Sequence, residues 1–455
     1  MSIKGVLALC FTIWVICIHC TAQTITTIAG NGCIRPDSGN SIPATAACIG
    51  LPGAGSFDAE GNYYFAEDFG GSRVEKVGTD GIINTVAGNG GHGFSGDGGP
   101  ATDASIVWAY AIVDAVGNIY IPDRDNYRVR KVDVSTGIIH TIAGNGSRGH
   151  SGDGGPATDA SIFPFSVCVD LHGNVFVSDS STWIRKISTT GIITTIAGSG
   201  FQGYTGSGIP ATSSGLYNSV GLCTDAMGNV LVGNGDGWLM KVDVSTGIIT
   251  AIGGTGLRAP YLGDGMLATD AQLNPYAIAI DLYGNIFIAD YGAGNDRVLK
   301  IDTLGIVHSI AGTGTQGFTG DSGPATAAEI YNPEGVAIDA CGNVYIADDA
   351  NRRIRKVTFD PTCSPADSAT LSVQKTIVNQ KLLVYPNPSH DEVNVTGANK
   401  ITEISITNFV GQCVRSQKYS SASVRVDMRG LPAGVYIMKI IDETGLQTIT
   451  KVIKE

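Results

Sequence analysis

Short apolar runs recur along most of the chain, and polar residues alternate with apolar ones inside them, which is the period-two pattern of β-strands. Each recurring unit contains the motif D-x-x-G-N followed by an apolar run, as in D-A-E-G-N-Y-Y-F. The motif begins at Asp58, Asp114, Asp170, Asp225, Asp281 and Asp339. Subtraction gives separations of 56, 56, 55, 56 and 58 residues. A repeat of this length with several short strands predicts an all-β fold, a six-bladed β-propeller with one four-stranded sheet per blade.

The strands of each unit follow one another in a fixed order. The run after D-x-x-G-N is strand two, which ends at Glu67, Asp123, Asp179, Asn234, Asp290 or Asp348. Strand three begins at Arg73, Arg128, Trp183, Trp238, Arg297 or Arg353, and strand four has the form I-I-x-T-I-A-G. The sixth unit stops after Val357 without a fourth strand, whereas a spare copy begins at Ile25. We therefore expect the N-terminal strand to complete the sixth blade and close the propeller, since this removes an open sheet edge.

The two faces of the predicted ring differ in their loops. Because strands alternate in direction, the loop before strand one and the loop after strand two lie on the same face, and the opposite face carries short turns. The loop before strand one is long and has forms such as S-G-D-G-G-P-A-T. Its acidic residues are Asp97, Asp153, Asp264 and Asp321. One Asp per loop cannot supply the six to eight oxygens of a Ca²⁺ site, so we assign these residues to turns and predict no metal.

Two tryptophans are the strongest candidates for ligand binding on the long-loop face. Trp183 and Trp238 replace the Arg that begins strand three elsewhere, and each follows a short loop, after Asp179 and Asn234 respectively. Trp108 stands where Pro164, Pro275 and Pro333 stand in other units and is a third candidate. The alternative is that each Trp fills the space of the missing Arg. In the other units we expect the acid that ends strand two to pair with the Arg that begins strand three.

These repeats resemble the NHL-repeat family of six-bladed propellers over about residues 24–360. The resemblance implies a recognition platform, although a few relatives are enzymes. A net charge of -12 argues against nucleic acid as the partner. We therefore expect the long-loop face to bind an extracellular protein or glycan. The second hypothesis is a hydrolase or lyase with its site in the central channel, but no catalytic motif appears, and neither a catalytic residue nor a cofactor is assigned.

The two ends of the chain carry export signals. Residues 1–23 combine one Lys, a short apolar run and small residues, which is typical of a secretory signal peptide. After a polar linker at 361–381, residues 382–455 read as short strands, which predict a small β-sandwich. With Y-P-N-P from Tyr385, N-F-V-G-Q from Asn408 and L-P-A-G-V-Y from Leu431, this segment resembles the type A sorting domain of the type IX secretion system. The resemblance implies the secretion machinery as a partner, a secreted or surface-attached product and no transmembrane segment in the mature protein.

Seven of the ten cysteines follow the predicted signal peptide. Cys33 and Cys48 flank one loop and are candidates for a disulfide. Cys341 and Cys363 are predicted to reach the same end of the sixth blade, and they form a second candidate pair, with two free thiols as the alternative. Cys168 and Cys223 precede their motifs by two residues, and we interpret both as small buried apolar residues.

Overall fold

The computed structural model describes residues 23–33, 40–68, 72–107, 110–257, 260–292, 294–359, 383–385, 391–408, 413–431, 434–443 and 447–454. The chain divides into two compact units, Met1–Ala369 and Thr370–Glu455. Residues 1–22 of the predicted signal peptide and the predicted linker 361–381 lie outside the described residues.

The described part of the first unit consists of antiparallel sheets with four or five strands each. The N-terminal strand is β1 (Thr24–Ala29). Sheet one contains β2 (Ile42–Pro43), β3 (Leu51–Phe57), β4 (Tyr63–Asp68), β5 (Arg73–Val77) and β6 (Ile82–Ala87). Sheet two contains β7 (Ile112–Val113), β8 (Ile119–Asp123), β9 (Arg128–Asp133) and β10 (Ile138–Ala143). Sheet three contains β11 (Pro164–Val169), β12 (Val175–Asp179), β13 (Trp183–Ile187) and β14 (Ile193–Ala197).

The remaining sheets of this unit repeat the pattern. Sheet four contains β15 (Ile209–Pro210), β16 (Gly221–Thr224), β17 (Val230–Asn234), β18 (Trp238–Asp243) and β19 (Ile248–Gly253). Sheet five contains β20 (Pro275–Ile280), β21 (Ile286–Asp290), β22 (Arg297–Ile301) and β23 (Val307–Ala311). Sheet six contains β24 (Pro333–Ile338), β25 (Val344–Asp348) and β26 (Arg353–Thr358), joined by β1. Short 3-10 helices lie at Ala44–Ala46, Ala101–Asp103, Arg124–Asn126, Ala157–Asp159, Ala211–Ser213, Ala268–Asp270, Ala325–Ala327 and Asp349–Asn351.

The strand-one segments lie side by side. β16 contacts both β11 and β20, β24 contacts both β20 and β3, and β3 contacts β7. Apolar side chains fill the space between neighbouring sheets; one cluster joins Phe65 and Ile83 of sheet one to Ala347 and Ile354 of sheet six. The described part of this unit is therefore a propeller-like all-β arrangement, as the repeat predicts.

β1 pairs with β26 although more than 300 positions separate them. Thr24 lies opposite Thr358 and Ile25 opposite Val357. Ile25 and Ala29 are fully buried, and the hydroxyl of Thr27 donates to Asp321 at 2.6 Å. The spare copy of strand four thus occupies the outer position of sheet six.

Each D-x-x-G-N motif forms the tight turn between strands one and two. In sheet four, Asp225 Oδ1 accepts the N–H of Asn229 at 2.9 Å, and the Asn229 side chain donates to Oδ2 at the same distance. Gly228 has a φ of 79°, a left-handed conformation that favours glycine. We call the end of each sheet that carries these turns the turn end, and the opposite end the loop end.

The long loops do not project from the loop end as predicted. Gly98 N–H donates to Ile139 O, and Ala101 N–H donates to Gly137 O, so the S-G-D-G-G-P-A-T segment lies along β10, the outer strand of sheet two. β2 and β15 are the corresponding segments of sheets one and four. An outer strand otherwise exposes unpaired backbone groups, and the long loop satisfies them.

Buried arginines correct a second expectation. Among the described residues, the expected ion pair between the acid that ends strand two and the Arg that begins strand three occurs in sheet one, with Glu67 and Arg73 at 3.8 Å. In sheet two the partner is Arg130, two residues later, at 3.6 Å from Asp123. Arg185 and Arg355 pair in the same way in sheets three and six. The first Arg of strand three instead donates to backbone carbonyls, because it points towards the end of strand four.

The acids of the long loops complete these arginine sites. Arg130 is fully buried and also reaches Asp97 at 2.7 Å and the carbonyls of Ser95 and Ser105 at 2.8 and 2.9 Å. In sheet four, Met240 replaces the arginine, and both acids are replaced as well, by Asn234 and Ser207. In sheets two, three and six the acid of the long loop is therefore part of an ion-pair network around a buried arginine.

In sheet five, Asp290 ends strand two as Asp123 does in sheet two, but Leu299 stands at the position of Arg130. Asp290 therefore has no buried arginine opposite it. Burial raises the pKa of Asp290 from 3.8 to about 7, and Asp296 adds to this rise, while the N–H of Asn274 and the charge of Arg297 oppose it. Since the folded-state pKa lies above the ordinary value, the stability that this carboxyl contributes is present below about pH 4 and is lost as the pH rises through 7.

We expect Asp290→Asn to raise the free energy of unfolding at pH 8 by on the order of 1–2 kcal/mol and to give a clearly smaller gain at pH 5, where only part of the stability of the protonated carboxyl has been lost. Asn keeps the acceptor for Asn274 N–H and removes the buried charge, as Asn234 does in sheet four. Urea unfolding at both pH values measures the difference. The control is Asp243→Asn, at a solvent-accessible carboxyl whose pKa is lowered to about 2 by hydrogen bonds from Ser245 and Thr246. Its effect should not change between pH 5 and 8; a pH-independent effect of Asp290→Asn would contradict the prediction.

The cysteines of the first unit have different roles. Cys33 and Cys48 form a disulfide with a Cα–Cα distance of 5.5 Å. Cys341 is also disulfide-bonded, but Cys363 lies outside the described residues, so the Cys341–Cys363 pair stays a prediction. Cys168 is free and buried, and Cys223 is free and half-buried. Burial raises the pKa of both thiols, so neither is a thiolate near neutral pH.

The second unit differs from the predicted sandwich of short strands. Its strands are β27 (Leu383–Tyr385), β28 (Glu392–Asn408), β29 (Cys413–Asp427), β30 (Gly434–Asp442) and β31 (Gln447–Lys454). Hydrogen bonds connect these five described strands into one sheet. β28 and β29 are long because their pairing continues past a register shift between Thr396 and Ile401, so separate short strands do not form.

Candidate functional site

A small cavity lies between the strand-one segments of the propeller-like unit. Its volume is about 70 Å³. Its walls include one residue from each sheet in turn, namely Ala54, Ile112, Val167, Leu222, Ile278 and Val336. Strand one of each of the six sheets therefore borders this cavity, which lies where the predicted propeller would have its central axis.

Three polar side chains meet across the cavity near the loop end. The hydroxyls of Tyr110 and Tyr276, which belong to sheets two and five, are 3.1 Å apart. Tyr110 also donates to Glu334 of sheet six at 3.0 Å. Gly53 makes room for this arrangement, because a Cβ there would lie 2.7 Å from the Tyr110 ring. The network joins residues that are up to 224 positions apart in the chain.

Further aromatic and acidic groups surround this network. The Tyr291 ring stacks on Tyr276 with centroids 4.7 Å apart and an interplanar angle of 26°. The 3-10 helix Asp349–Asn351 contacts both β3 and β24, which brings Asp349 towards Glu334. We call Tyr110, Tyr276, Tyr291, Glu334 and Asp349 the axial cluster.

The carboxyls of the axial cluster have unusual proton affinities. Burial and then repulsion from Glu334 raise the pKa of Asp349 to about 8. Burial also raises the pKa of Glu334, while the Tyr110 hydrogen bond opposes that rise. The two neighbouring carboxyls therefore hold a proton to a higher pH than ordinary acids do, and the protonated form can donate a hydrogen bond where an ordinary Asp only accepts.

The opposite side of the loop end is aromatic and basic. Phe163 and Phe165 pack edge to face with centroids 4.9 Å apart. The Arg124 guanidinium lies 4.3 Å from the Phe165 ring, and that of Arg148 lies 4.4 Å from the Phe163 ring. Both arginines contact ring faces, which are the electron-rich parts of aromatic side chains. The axis thus has a basic aromatic side in sheets two and three and an acidic aromatic side in sheets five and six.

The tryptophans occupy the position of the missing arginines. Trp183 stacks on His150 with centroids 4.0 Å apart at 11°, and Trp238 lies 5.1 Å from Tyr204. In sheet two the same loop position holds Phe94, with the Arg128 guanidinium 3.9 Å from its ring. In sheet three, therefore, strand three supplies the aromatic ring of Trp183 and the long loop supplies the imidazole of His150. In sheet two, strand three supplies the guanidinium of Arg128 and the long loop supplies the aromatic ring of Phe94. These contacts account for both tryptophans within the fold; their predicted role in binding a ligand stays a prediction.

The two polar candidates are buried and bonded internally. Asp179 accepts the N–H of Phe163 at 2.7 Å and pairs with Arg185 at 3.4 Å. Asn234 accepts the N–H of Tyr217 and the hydroxyl of Ser219. Of the candidates that the structure describes, none lines the axial cavity, and Trp108 lies outside the described residues.

Sequence reasoning missed the axial cluster. Tyr276 and Glu334 stand five residues before their anchor Asp, where other units have Gly53, Phe165 and Val220. A position that changes from glycine to tyrosine to glutamate inside a regular repeat is not required by the strand itself. That variation was the available signal, but only the packing of the sheets beside one another brings these positions together.

The fold and the tail together define an exported all-β protein with propeller-like sheets. Residues 383–455 match the family described as the Secretion system C-terminal sorting domain. This domain directs type IX secretion to the cell surface or the medium, and it interacts with the secretion machinery for that purpose. Among the described residues, no helix combines the length and apolar character that a membrane crossing requires.

Other known proteins resemble this chain more distantly. Human Teneurin-1 is 28% identical over 288 residues, which are 55% of this chain and 10% of Teneurin-1. The chain spans between 10% and 24% of the length of the first three curated relatives. A solved protein of unknown function from Bacteroides thetaiotaomicron has a TM-score of 0.53 at 20% identity and covers 74% of this chain and 76% of its own. An auxiliary nutrient binding protein from Bacteroides ovatus has a TM-score of 0.52 at 15% identity, with the same coverage. These structural similarities show a shared fold and nothing about function.

Proposed function

We propose that residues 24–360 form a closed six-bladed propeller of the NHL type, which is exported and binds an extracellular glycan at the loop end of its central axis. Closure is supported by the pairing of β1 with β26 and by the contact of β24 with β3. The observation that carries the binding site is the axial cluster, where half-buried tyrosines of sheets two and five converge with two carboxyls of sheet six.

The chemistry of the cluster favours a carbohydrate. Aromatic rings offer flat apolar surfaces to the C–H faces of a sugar, and tyrosine hydroxyls and carboxyls exchange hydrogen bonds with sugar hydroxyls. Protonated Asp349 adds a donor beside the acceptors of Glu334. The same groups are less suited to a large flat protein epitope, because they converge at the ring axis.

One observation favours an enzyme as the second candidate. A carboxyl with a pKa near 8 beside a second buried carboxyl is the kind of pair that serves as general acid and base. A hydrolase or lyase acting on the bound glycan would use Asp349 as the proton donor.

A glycan array with the purified mature protein tests the proposal. We expect selective binding to a subset of glycans, a loss of at least about tenfold in affinity for Tyr276→Ala and for Glu334→Gln, and unchanged melting of Glu334→Gln. The matched comparison is the double variant Trp183→Ala/Trp238→Ala, which tests the tryptophan site on the same array.

Three outcomes separate the hypotheses. If only the tryptophan variant loses binding, the ligand binds at the tryptophans that begin strand three, and the axial cluster is rejected as the site. Absence of selective binding would reject the glycan proposal. Shortened glycans in the mass spectrum after incubation with wild type, but not with Asp349→Asn, would establish the enzyme.

A further inference from the structure

The turn ends of sheets three to five expose large apolar side chains around a groove. The groove has a volume of about 720 Å³. Val169, Leu231, Ile280 and Ile286 contribute to its lining from within the strands. Leu171, Met227, Leu282 and Tyr283 line it from the tips of the turns. Leu171 is 83% exposed and Leu282 is 94% exposed, which is unusual for leucines on a stable surface.

The turn does not require these residues. Its hydrogen bonds are made by the Asp and Asn side chains and by backbone N–H groups, such as the N–H of Tyr283 to Asp281 at 2.9 Å. The second and third positions of D-x-x-G-N are therefore unconstrained by folding. In sheet one they are Ala59 and Glu60, which suit an exposed turn. Sheets three to five instead have leucine, methionine or tyrosine at one or both positions, and these side chains border one continuous groove.

The charges around the groove restrict its partner. The turn ends of sheets three to five carry five aspartates, namely Asp170, Asp225, Asp243, Asp281 and Asp302, and three lysines, namely Lys186, Lys241 and Lys300, so five negative and three positive charges leave -2. Asp225 already holds Lys241 at 2.8 Å, and Lys300 lies 5.7 Å from the Phe287 ring. A negative rim repels an anionic membrane surface and a second copy of the same face.

We propose that this turn-end groove docks a protein partner that presents apolar side chains flanked by positive charge. Leu171, Leu282 and Tyr283 contact the apolar side chains, and Asp281 faces the flanking cations. This surface is separate from the axial cluster, which lies at the loop end, so one ring can hold a ligand and a protein at the same time.

Two matched peptides test the groove with the full mature protein. Both are amphipathic 16-residue helices with the same leucine face; one has lysines on its polar face and the other has glutamates. In isothermal titration we expect the lysine peptide to bind one-to-one with a Kd on the order of 10 µM, and the glutamate peptide to bind at least about tenfold more weakly. Asp281→Asn should reduce the affinity for the lysine peptide and flatten its salt dependence.

The variants Leu171→Ser/Leu282→Ser and Val116→Ser distinguish binding in the groove from nonspecific binding to exposed apolar side chains. Val116 is a turn-tip residue of sheet two that is 74% exposed and lies outside the groove lining. We expect the double variant to lose at least about tenfold in affinity for the lysine peptide and Val116→Ser to lose none. All three side chains are exposed, so the melting temperatures should stay within about 1 °C of wild type.

Four results would overturn the proposal. They are equal binding of both peptides, no binding of either, undiminished binding by the double variant, and a dimer in sedimentation velocity that Leu282→Ser dissociates. The last result would assign the groove to a second copy of the chain.

Discussion

Deleting Thr24–Gly32 from the mature protein is expected to lower the melting temperature by more than about 10 °C or to cause aggregation. The deletion removes β1, exposes the edge of β26 and opens the hydrophobic cluster that contains Ile25. It also removes two hydrogen bonds, one from the N–H of Ile25 to the carbonyl of Gly323 and one from the Arg353 side chain to the carbonyl of Asn31. An open edge in sheet six then offers a template for pairing with other chains.

The control for this deletion is Thr26→Ala, which keeps the backbone pairing to Lys356 and removes one half-buried side chain. Thermal unfolding followed by circular dichroism compares both variants with wild type. We expect a change of a few degrees at most for the control. Equal melting of wild type and the deletion variant would show that β1 does not close the ring.

The second large effect is expected for Arg130→Met, which should lower the free energy of unfolding by about 3–5 kcal/mol. The substitution leaves Asp123 buried without its cation and removes the donors to Asp97, Ser95 O and Ser105 O. Burial already raises the pKa of Asp123 to about 6 with the arginine in place. Since the uncompensated carboxylate forms only when Asp123 ionises, the loss should grow as the pH rises from 5 to 8.

Sheet four supplies the rescue for this variant. There Met240 stands with Asn234 and Ser207, and the Ser207 hydroxyl accepts the N–H of Ala251 at 3.1 Å, as Asp97 accepts that of Thr141. We therefore expect Arg130→Met/Asp123→Asn/Asp97→Ser to recover most of the lost stability and to abolish the pH dependence of the loss. Urea unfolding of the single and triple variants at pH 5 and 8 measures both effects. If the triple variant is as unstable as the single one, packing of the Arg130 stem, and not its charge, holds sheet two together.

Comparison of the six repeat units shows which contacts can be inferred from the sequence. Aligning them reveals that Arg130, Arg185 and Arg355 occur where both acids are present, and that Met240 occurs where both are absent. Sheet five departs from this pattern, because Leu299 occurs there with both Asp264 and Asp290. The covariation therefore indicates the buried ion pair of sheets two, three and six without coordinates. The expected pairing with Arg128 and Arg353 was wrong because strand periodicity alone does not show which of two arginines faces the acid.

The sequence identified which residues form the long loops, but the predicted position of these loops at the loop end was wrong, because they lie along the outer strands. Their glycines and Asp97 predict tight turns, but the pairing of Gly98 with Ile139 depends on the open edge of β10, which belongs to a sheet formed later in the chain. The tryptophans illustrate the same limit. Sequence identifies Trp183 and Trp238 as exceptions, whereas the stacking on His150 and Tyr204 depends on neighbouring loops.

The sequence by itself determined the repeat, the order of strands within each unit, the N-terminal strand that pairs with β26 and the sorting domain that directs export, because periodicity, turn chemistry and local motifs are written in consecutive residues. Only the tertiary structure decided the axial cluster and the turn-end groove. Tyr110 and Tyr276 are 166 positions apart, and Leu171 and Leu282 lie in different sheets. Their proximity follows from the side-by-side packing of whole sheets, which no local pattern specifies.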